Sequence, residues 1–483
     1  MNDSTATSSE NRTSDVESTA PALAPRVWPL IVLAIFQLAV LTVPGWISPN
    51  SMFHLMTMMW GAFGCLFLAG LWLVAFSRLP ARHRIYSILF LIAIGAAVVL
   101  FSHASMQPLL LLVLIAPWAL VASGAAALLL TPLGWRWQRA TLVLIWLATG
   151  VFALSARFDG VRGSVSVDYS PRWVPTKEEA LLAELERKPI PLVTPDLDPS
   201  LSLDSDWPGF RGASRDGVLR DAKFALDWNE RPPQELWRNK IGPGWSSFCV
   251  FGDRIATQEQ RGADELVVCY EAQSGKPIWR YAIPARFEEP LAGPGPRATP
   301  TYHDGKLYSL GASGFVSCVD AITGEEIWRR DLKEDVGAKT PEWGFSSSPL
   351  IVGETAIVFA GDQQDDGDAV VAYDLASGEL AWKSGRGSHS YSSPHLATLA
   401  GVDQVVMLTD YGVQGLAPSD GQVLWEHEWD IKPGNRVVQP QVIDDSVYVG
   451  TGIGMGTMKV DVKRDADAWS TQEAWISRNL KPY

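Results

Sequence analysis

Carboxylates close enough to share a cation stand together in "GDQQDDGDA", Gly361 to Ala369, where Asp362, Asp366 and Asp368 could offer oxygen ligands to Ca²⁺. No glutamate follows at the spacing that completes such a loop, so the stretch reads as a solvated hairpin tip and no metal is expected. His303, His389, His395 and His427 fall in separate segments without zinc-ligand spacing. The cysteines Cys249, Cys269 and Cys318 are separated and imply no disulfide framework, and Cys65 lies in an apolar run as a small packing residue. One stretch does bring an acid, a thiol and an indole together: "VSCVDAITGEEIWRR", with Cys318, Asp320 and Trp328.

That stretch is written again elsewhere, which points to structure before chemistry. "VVCYEAQSGKPIW" ends at Trp279, "VSCVDAITGEEIW" at Trp328, "VVAYDLASGELAW" at Trp382 and "VQGLAPSDGQVLW" at Trp425. A degenerate copy ends at Trp475, so the intervals are 49, 54, 43 and 50 residues, which suits a four-stranded propeller blade. In the second unit "RATPTYHD", "GKLYSLGA", "GFVSCVDAI" and "EEIWRRDL" read as strands from innermost to outermost. Gly275, Gly324, Gly378 and Gly421 hold one turn position, where positive φ is cheapest for glycine. Cys269, Cys318, Ala372 and Gly415 hold a small-residue position, and Trp279, Trp328, Trp382 and Trp425 a large one. A large ring beside a small side chain at each blade junction is efficient packing, so these tryptophans are expected to be docking residues.

If anything in such an array binds a ligand, geometry favours the starts of the innermost strands, "PGWSSF", "PRATPT", "GFSSSP", "SHSYSSP" and "RVVQPQ". Ser246, Arg297, Ser346, His389, Tyr391 and Arg436 are therefore the expected lining of a central channel. Polar, water-bonding side chains at a channel mouth are the plainer expectation for the same residues.

The elements ahead of the repeats are built for another solvent. Residues 1–25 are small, polar and Pro-containing and read as a disordered tail. Residues 26–156 contain five uncharged apolar runs, Trp28 to Ile47, Leu55 to Phe76, Tyr86 to Phe101, Leu109 to Leu130 and Thr141 to Leu154, matching or approaching the ~20 residues of a membrane span. Arg78, Arg82, Arg84, Arg136 and Arg139 fall in alternate connections, which places the N-terminus in the cytoplasm and the region after the fifth span outside. Residues 157–205 read as a stalk with one short helix, Lys177 to Arg187, capped by Thr176, and residues 206–483 as the β array. Lys and Arg number 7 before residue 157 and 33 after it, against 4 and 49 acids, giving +3 and −16. An exported part of that charge would repel nucleic acid.

The phrase Ala-x-Asp-x-x-Thr-Gly-x-x-x-Trp, seen at Ala372 to Trp382 and, with cysteine first, at Cys318 to Trp328, resembles the tryptophan-docking repeat of pyrroloquinoline-quinone-like (PQQ-like) β-propellers. "DWPGFRGASRDGVL", Asp206 to Leu219, is similar to the opening signature of bacterial members. The resemblance implies an all-β propeller, here about five full blades behind five membrane helices. It implies either a non-catalytic scaffold or a quinoprotein dehydrogenase, which would take PQQ and Ca²⁺, oxidise a sugar or alcohol and reduce membrane quinone. The chain lacks the adjacent cysteine pair of soluble alcohol-oxidising relatives, and its repeat region is shorter than that of the dehydrogenases. The expectation is therefore a non-catalytic binding or scaffold module of the bacterial inner membrane, with a periplasmic protein or peptide partner and no cofactor. Trp237, an outermost-strand tryptophan with no blade of its own, and the end at Tyr483 suggest further repeats in a longer chain, or a propeller completed by another protein.

Overall fold

The computed structural model describes residues 25–48, 52–161, 167–189, 207–220, 225, 227–361, 367–431, 436–452, 455–480 and 482, in two compact units, Met1–Arg157 and Phe158–Tyr483. Asp362 and Asp366 of the acidic hairpin lie outside the described residues.

In the first unit, five helices among the described residues are long and apolar enough to cross a membrane: α1 (Trp28–Ile47), α2 (Met56–Phe76), α3 (Ala81–Phe101), α4 (Pro108–Leu129) and α5 (Trp135–Ser155). The last part of α2 and the early part of α4 widen to π turns. α3 and α5 start ahead of the expected Tyr86 and Thr141, because Arg82, Arg84, Arg136 and Arg139 ride in their first turns, where long side chains can reach beyond an apolar layer. Arg84 donates to the carbonyls of Val74 and Leu79 at 2.7 Å each and satisfies the end of α2. Gly124 of α4 permits close approach of α1, since a Cβ there would strike Ala34 and lie 3.1 Å from the Leu30 carbonyl.

The second unit begins at Phe158 in a two-stranded sheet, Ala156–Val161 with Val167–Pro171, and continues with α6 (Lys177–Arg187), whose Thr176 hydroxyl accepts from Glu179 N while the Glu179 carboxylate accepts from Thr176 N, a reciprocal capping box. Among the described residues five four-stranded antiparallel sheets follow, each an up-and-down meander in chain order. The first runs Cys249–Phe251, Arg254–Arg261, Asp264–Glu271 and Pro277–Ile283. The second runs Thr301–His303, Lys306–Leu310, Phe315–Asp320 and Glu326–Asp331, and the third Leu350–Val352, Thr355–Phe359, Val370–Asp374 and Leu380–Ser384. The fourth comprises His395–Leu399, Val402–Leu408, Gly412–Leu416 and Val423–Glu428. The fifth comprises Gln441–Ile443, Ser446–Thr451, Gly456–Asp465 and Ala468–Ser477.

Alternation along each strand feeds the core between neighbouring sheets. Val267 and Cys269 of the first sheet pack with Leu307 and Val319 of the second; Val316 and Cys318 pack with Val358 and Val371 of the third. Val370 and Ala372 meet Val405 and Met407 of the fourth, whose Val406 and Leu408 meet Val447 and Val449 of the fifth. The other face of the first sheet carries Leu266, Val268 and Tyr270. α6 is tied to this sheet: Glu178 accepts from Gly262 N at 2.8 Å and pairs with Arg286 at 2.9 Å.

The repeated phrase has an atomic explanation. Asp320 Oδ1 accepts from the backbone N–H groups of Ile322 and Thr323 and from the Thr323 hydroxyl, and Asp374 does the same for Ala376 and Ser377. These turns bring Gly324 (φ +74°) and Gly378 (φ +71°) against the tryptophan of the preceding sheet. A Cβ on Gly324 would lie 2.5 Å from the Trp279 ring, one on Gly378 2.6 Å from Trp328, and one on Gly421 2.6 Å from Trp382. Each indole Nε1 then donates about the same distance to a carbonyl near that turn: Ala321, Leu375 and Pro418, at 3.1 Å in all three. Trp237 takes the same position on Gly275 and donates to Ala272 O.

Cys269, Cys318 and Ala372 stand beside the rings in the clusters that join neighbouring sheets. Cys269, Cys318, Ala372 and Gly415 pair directly across the ladder with Trp279, Trp328, Trp382 and Trp425 of their own sheet, and a bulge follows each pair. Cross-strand neighbours on one face are close enough that a bulky partner would displace the indole. The fifth sheet has Lys459 opposite Trp475. Among the described residues no glycine turn receives Trp425, whose Nε1 donates to Gln404.

Candidate functional site

The segments that lead into the first strands carry the polar cluster. Tyr391 N donates to Arg436 O at 2.8 Å, and Ser346 Oγ donates to Tyr391 O at 2.9 Å, linking the third, fourth and fifth repeats. Arg436 Nη1 lies 3.3 Å from His389 Nδ1, and His389 Nε2 lies 3.2 Å from the Tyr391 hydroxyl. Because a guanidinium can only donate, Nδ1 is the acceptor and the remaining proton sits on Nε2, which donates to Tyr391. Burial, then the neighbouring Arg436 charge, lowers the His389 pKa and favours this neutral tautomer. The Tyr391 oxygen also accepts from Trp343 N at 3.1 Å, while the Trp343 and Tyr391 rings stack at 5.1 Å.

With two N–H groups filling its acceptor positions, the Tyr391 hydroxyl is left as a donor, and burial raises its pKa. Arg297 joins from the second repeat. Its side chain is only 7 % exposed, and it donates to Trp343 O at 3.3 Å and Gly293 O at 2.7 Å while pairing with Glu289 at 3.4 Å. Burial lowers its pKa against the pull of Glu289 and Glu265. Glu289 in turn accepts from Leu291 N and Ala292 N, and Asp410 accepts from His389 N at 3.0 Å and Ser388 Oγ at 3.0 Å.

Of the six residues expected to share a lining, Ser346, His389, Tyr391 and Arg436 are bonded into one cluster, and Arg297 reaches it through Trp343. Ser246 is placed otherwise: its hydroxyl donates to Ser247 O and accepts from Gln258 N, within its own sheet. Trp343, Glu289 and Asp410 were not legible as site residues, because they sit in connections outside the repeated phrase. The tryptophan in "PEWGF" was the available signal.

Further along the same first strands, residues 207–217 form a strap. Trp207 O accepts from Val250 N, Pro208 O from Tyr302 N, and Arg215 donates to Pro349 O at 2.8 Å and Ser348 O at 3.0 Å. Gln439 Nε2 donates to Arg215 O at 2.6 Å and also lies 3.0 Å from His395 Nδ1. The strap thus touches the first strands, or the residues beside them, of four sheets directly and of the fourth through Gln439. Burial, followed by Arg211, lowers the Arg215 pKa to about 9, and burial with Arg215 lowers that of His395 to about 4.

The family model described as outer membrane protein assembly factor BamB matches residues 228–299 and 292–480. A curated relative, outer membrane protein assembly factor BamB of Yersinia pestis, is 27% identical over 128 residues, covering 26% of this chain and 30% of the relative. The chain therefore matches less than a third of that relative's length. Among solved structures, BamB from Moraxella catarrhalis is 17% identical with a TM-score of 0.32, covering 49% of this chain and 75% of that one. Quinohemoprotein alcohol dehydrogenase from Comamonas testosteroni is 14% identical with a TM-score of 0.39, covering 62% and 52%. Since the family model spans more than half of the 483 residues, the chain belongs to the PQQ-like repeat family described as outer membrane protein assembly factor BamB.

Proposed function

We propose that this protein is a non-catalytic binding or scaffold module of the bacterial cell envelope. In this reading the five apolar helices anchor it in the inner membrane with the N-terminus in the cytoplasm, and the sheets form a PQQ-like propeller in the periplasm. The alternating arginines of the helix connections support that orientation. The observation that carries the binding role is the cluster of Ser346, His389, Tyr391, Arg436 and Trp343, which holds its polar groups in fixed roles and keeps one buried hydroxyl as a donor. A protein or peptide partner supplies carbonyl acceptors for such a donor, and the relative's name, an assembly factor, agrees with a protein partner.

A quinoprotein site asks for a hard cation held by several oxygen ligands and a carboxylate free to act as base. Among the described residues no group of three His, Cys, Asp or Glu side chains is placed to hold a metal ion, and Glu289 and Asp410 are engaged by backbone N–H groups. We therefore assign no oxidation step to these residues. The test of the binding reading is a photo-crosslinking amino acid placed at Trp343 of the full chain in cells. We expect an adduct of one discrete protein mass that is lost when Tyr391→Phe is added. An adduct insensitive to that hydroxyl would place the partner elsewhere and overturn the role given to the cluster.

A further inference from the structure

The helical unit gathers its charge at one end. Residues 26–156 hold six arginines, no lysine and no acid, and the connections at 48–51 and 102–107 carry none of the arginines. Arg26 N donates to Ser77 O at 3.1 Å and Trp72 Nε1 to Arg26 O at 3.0 Å, which binds the start of α1 to the end of α2. Gln138 Nε2 donates to Ala127 O at 2.7 Å and ties the start of α5 to the end of α4. Leu30, Trp72, Ala127 and Leu142 pack in one cluster, so these four helix ends lie together. Arg26, Arg78, Arg82, Arg136 and Arg139 are exposed there, and among the described residues nothing bonds to their guanidinium groups.

At the start of α5 a cavity of about 560 Å³ is lined by Leu133, Gly134, Trp135, Arg136, Trp137 and Ala140, within the ~300–1,000 Å³ range of ligand sites. Arg136, Arg139 and Ala140 follow the i, i+3, i+4 spacing of one helix face, which sets Arg139 beside the same opening. Tryptophan belongs at the level where membrane meets water, with its ring in the apolar side and its N–H toward the polar one. Trp137, Leu144 and Val151, seven residues apart, are all exposed, so a bare apolar line leaves the cavity and runs along α5 away from the charged end.

We infer, on the membrane-spanning reading of the five helices, that this cavity holds the headgroup of an acidic phospholipid: its phosphodiester meets Arg136 and Arg139, and an acyl chain lies along Trp137, Leu144 and Val151. Orientation in the membrane asks only for positive charge. A guanidinium offers more, because its paired N–H donors match two phosphate oxygens where an ammonium acts as a point charge. A zwitterionic lipid would bring an ammonium of its own, and residues 26–156 contain no carboxylate to receive it. Free phosphate shares the anionic chemistry but has nothing to place along the apolar line.

Native mass spectrometry of the full chain in detergent, offered phosphatidylglycerol or phosphatidylethanolamine at equal concentration, tests this. Phosphatidylglycerol adducts should exceed phosphatidylethanolamine adducts about fivefold or more. Arg136→Gln with Arg139→Gln should remove most of that excess and leave the phosphatidylethanolamine adducts unchanged, a pattern that misfolding would not produce. Arg136→Lys with Arg139→Lys, which keeps the charge, should lose a large part of the excess. Four results would overturn the inference: equal adducts of the two lipids; an excess that survives the glutamine pair but falls with Arg26→Gln and Arg78→Gln; a lysine pair that behaves as the parent; or full displacement by millimolar inorganic phosphate. Carbonate washing of membranes separates the two readings. A chain released by the wash would overturn the spans and this site together, whereas a chain retained without lipid preference would overturn the site alone.

Discussion

Glu265 shows how one buried group can tie the stability of the array to pH. Its carboxyl, 2 % exposed, lies on the first sheet against Gly311 of the second. Burial raises its pKa from 4.5 to about 7. An acid whose folded pKa is raised holds more protons folded than unfolded between those values, so folding loses stability as pH climbs from about 4.5 to 7. The loss reaches at most about 3 kcal/mol above that window. Glu265→Gln should therefore raise the melting temperature at pH 8 and leave it nearly unchanged at pH 4; melts that shift equally at both pH values would show that the carboxyl titrates normally. At this scale the sequence was a poor guide. Nothing in "DELVVCYE" marks Glu265 as buried, because its surroundings come from a turn some 45 residues later, and the stacking of Trp343 on Tyr391 joins two connections in the same way.

Among the elements, the turn glycines can be weighed against one another inside a single sheet. Gly378 (φ +71°) lies under the Trp328 ring, whereas Gly353 (φ +56°) has nothing within 4 Å of an added Cβ. Gly353→Ala should cost only the left-handed backbone penalty, about 1–2 kcal/mol. Gly378→Ala adds the displacement of a packed indole and should cost roughly 1–3 kcal/mol more. Urea unfolding followed by tryptophan fluorescence would compare them, and equal losses would show that the ring is not held by the turn. Most of this level was legible: "EEIWRRDL" became Glu326–Asp331, and Thr176 caps Lys177–Arg187. Period-2 patterning and capping are local signals and survive folding. The tie between α6 and the first sheet was not legible, since Glu178 meets Gly262 and Arg286 across 84 and 108 residues. The strap had a sequence signal in "DWPGFRGASRDGVL", but its crossing of the first strands depends on Arg215 reaching two carbonyls 133 and 134 residues away.

For the molecule as a whole, composition separated the apolar helices from the repeat region, and the spacing of the tryptophans separated the repeats into four-stranded units. The proposed orientation predicts that a reporter active only in the periplasm gives signal when fused after Tyr483; a cytoplasm-dependent reporter active at the same place would reverse the topology. The binding role faces a sharper trial, because the same family resemblance also points toward quinoprotein oxidation. Purified full-length protein should be titrated with pyrroloquinoline quinone in the presence of Ca²⁺ while cofactor absorbance and glucose- or ethanol-dependent dye reduction are recorded. The account predicts neither a saturable cofactor spectrum nor turnover. Stoichiometric binding accompanied by dye reduction would contradict it.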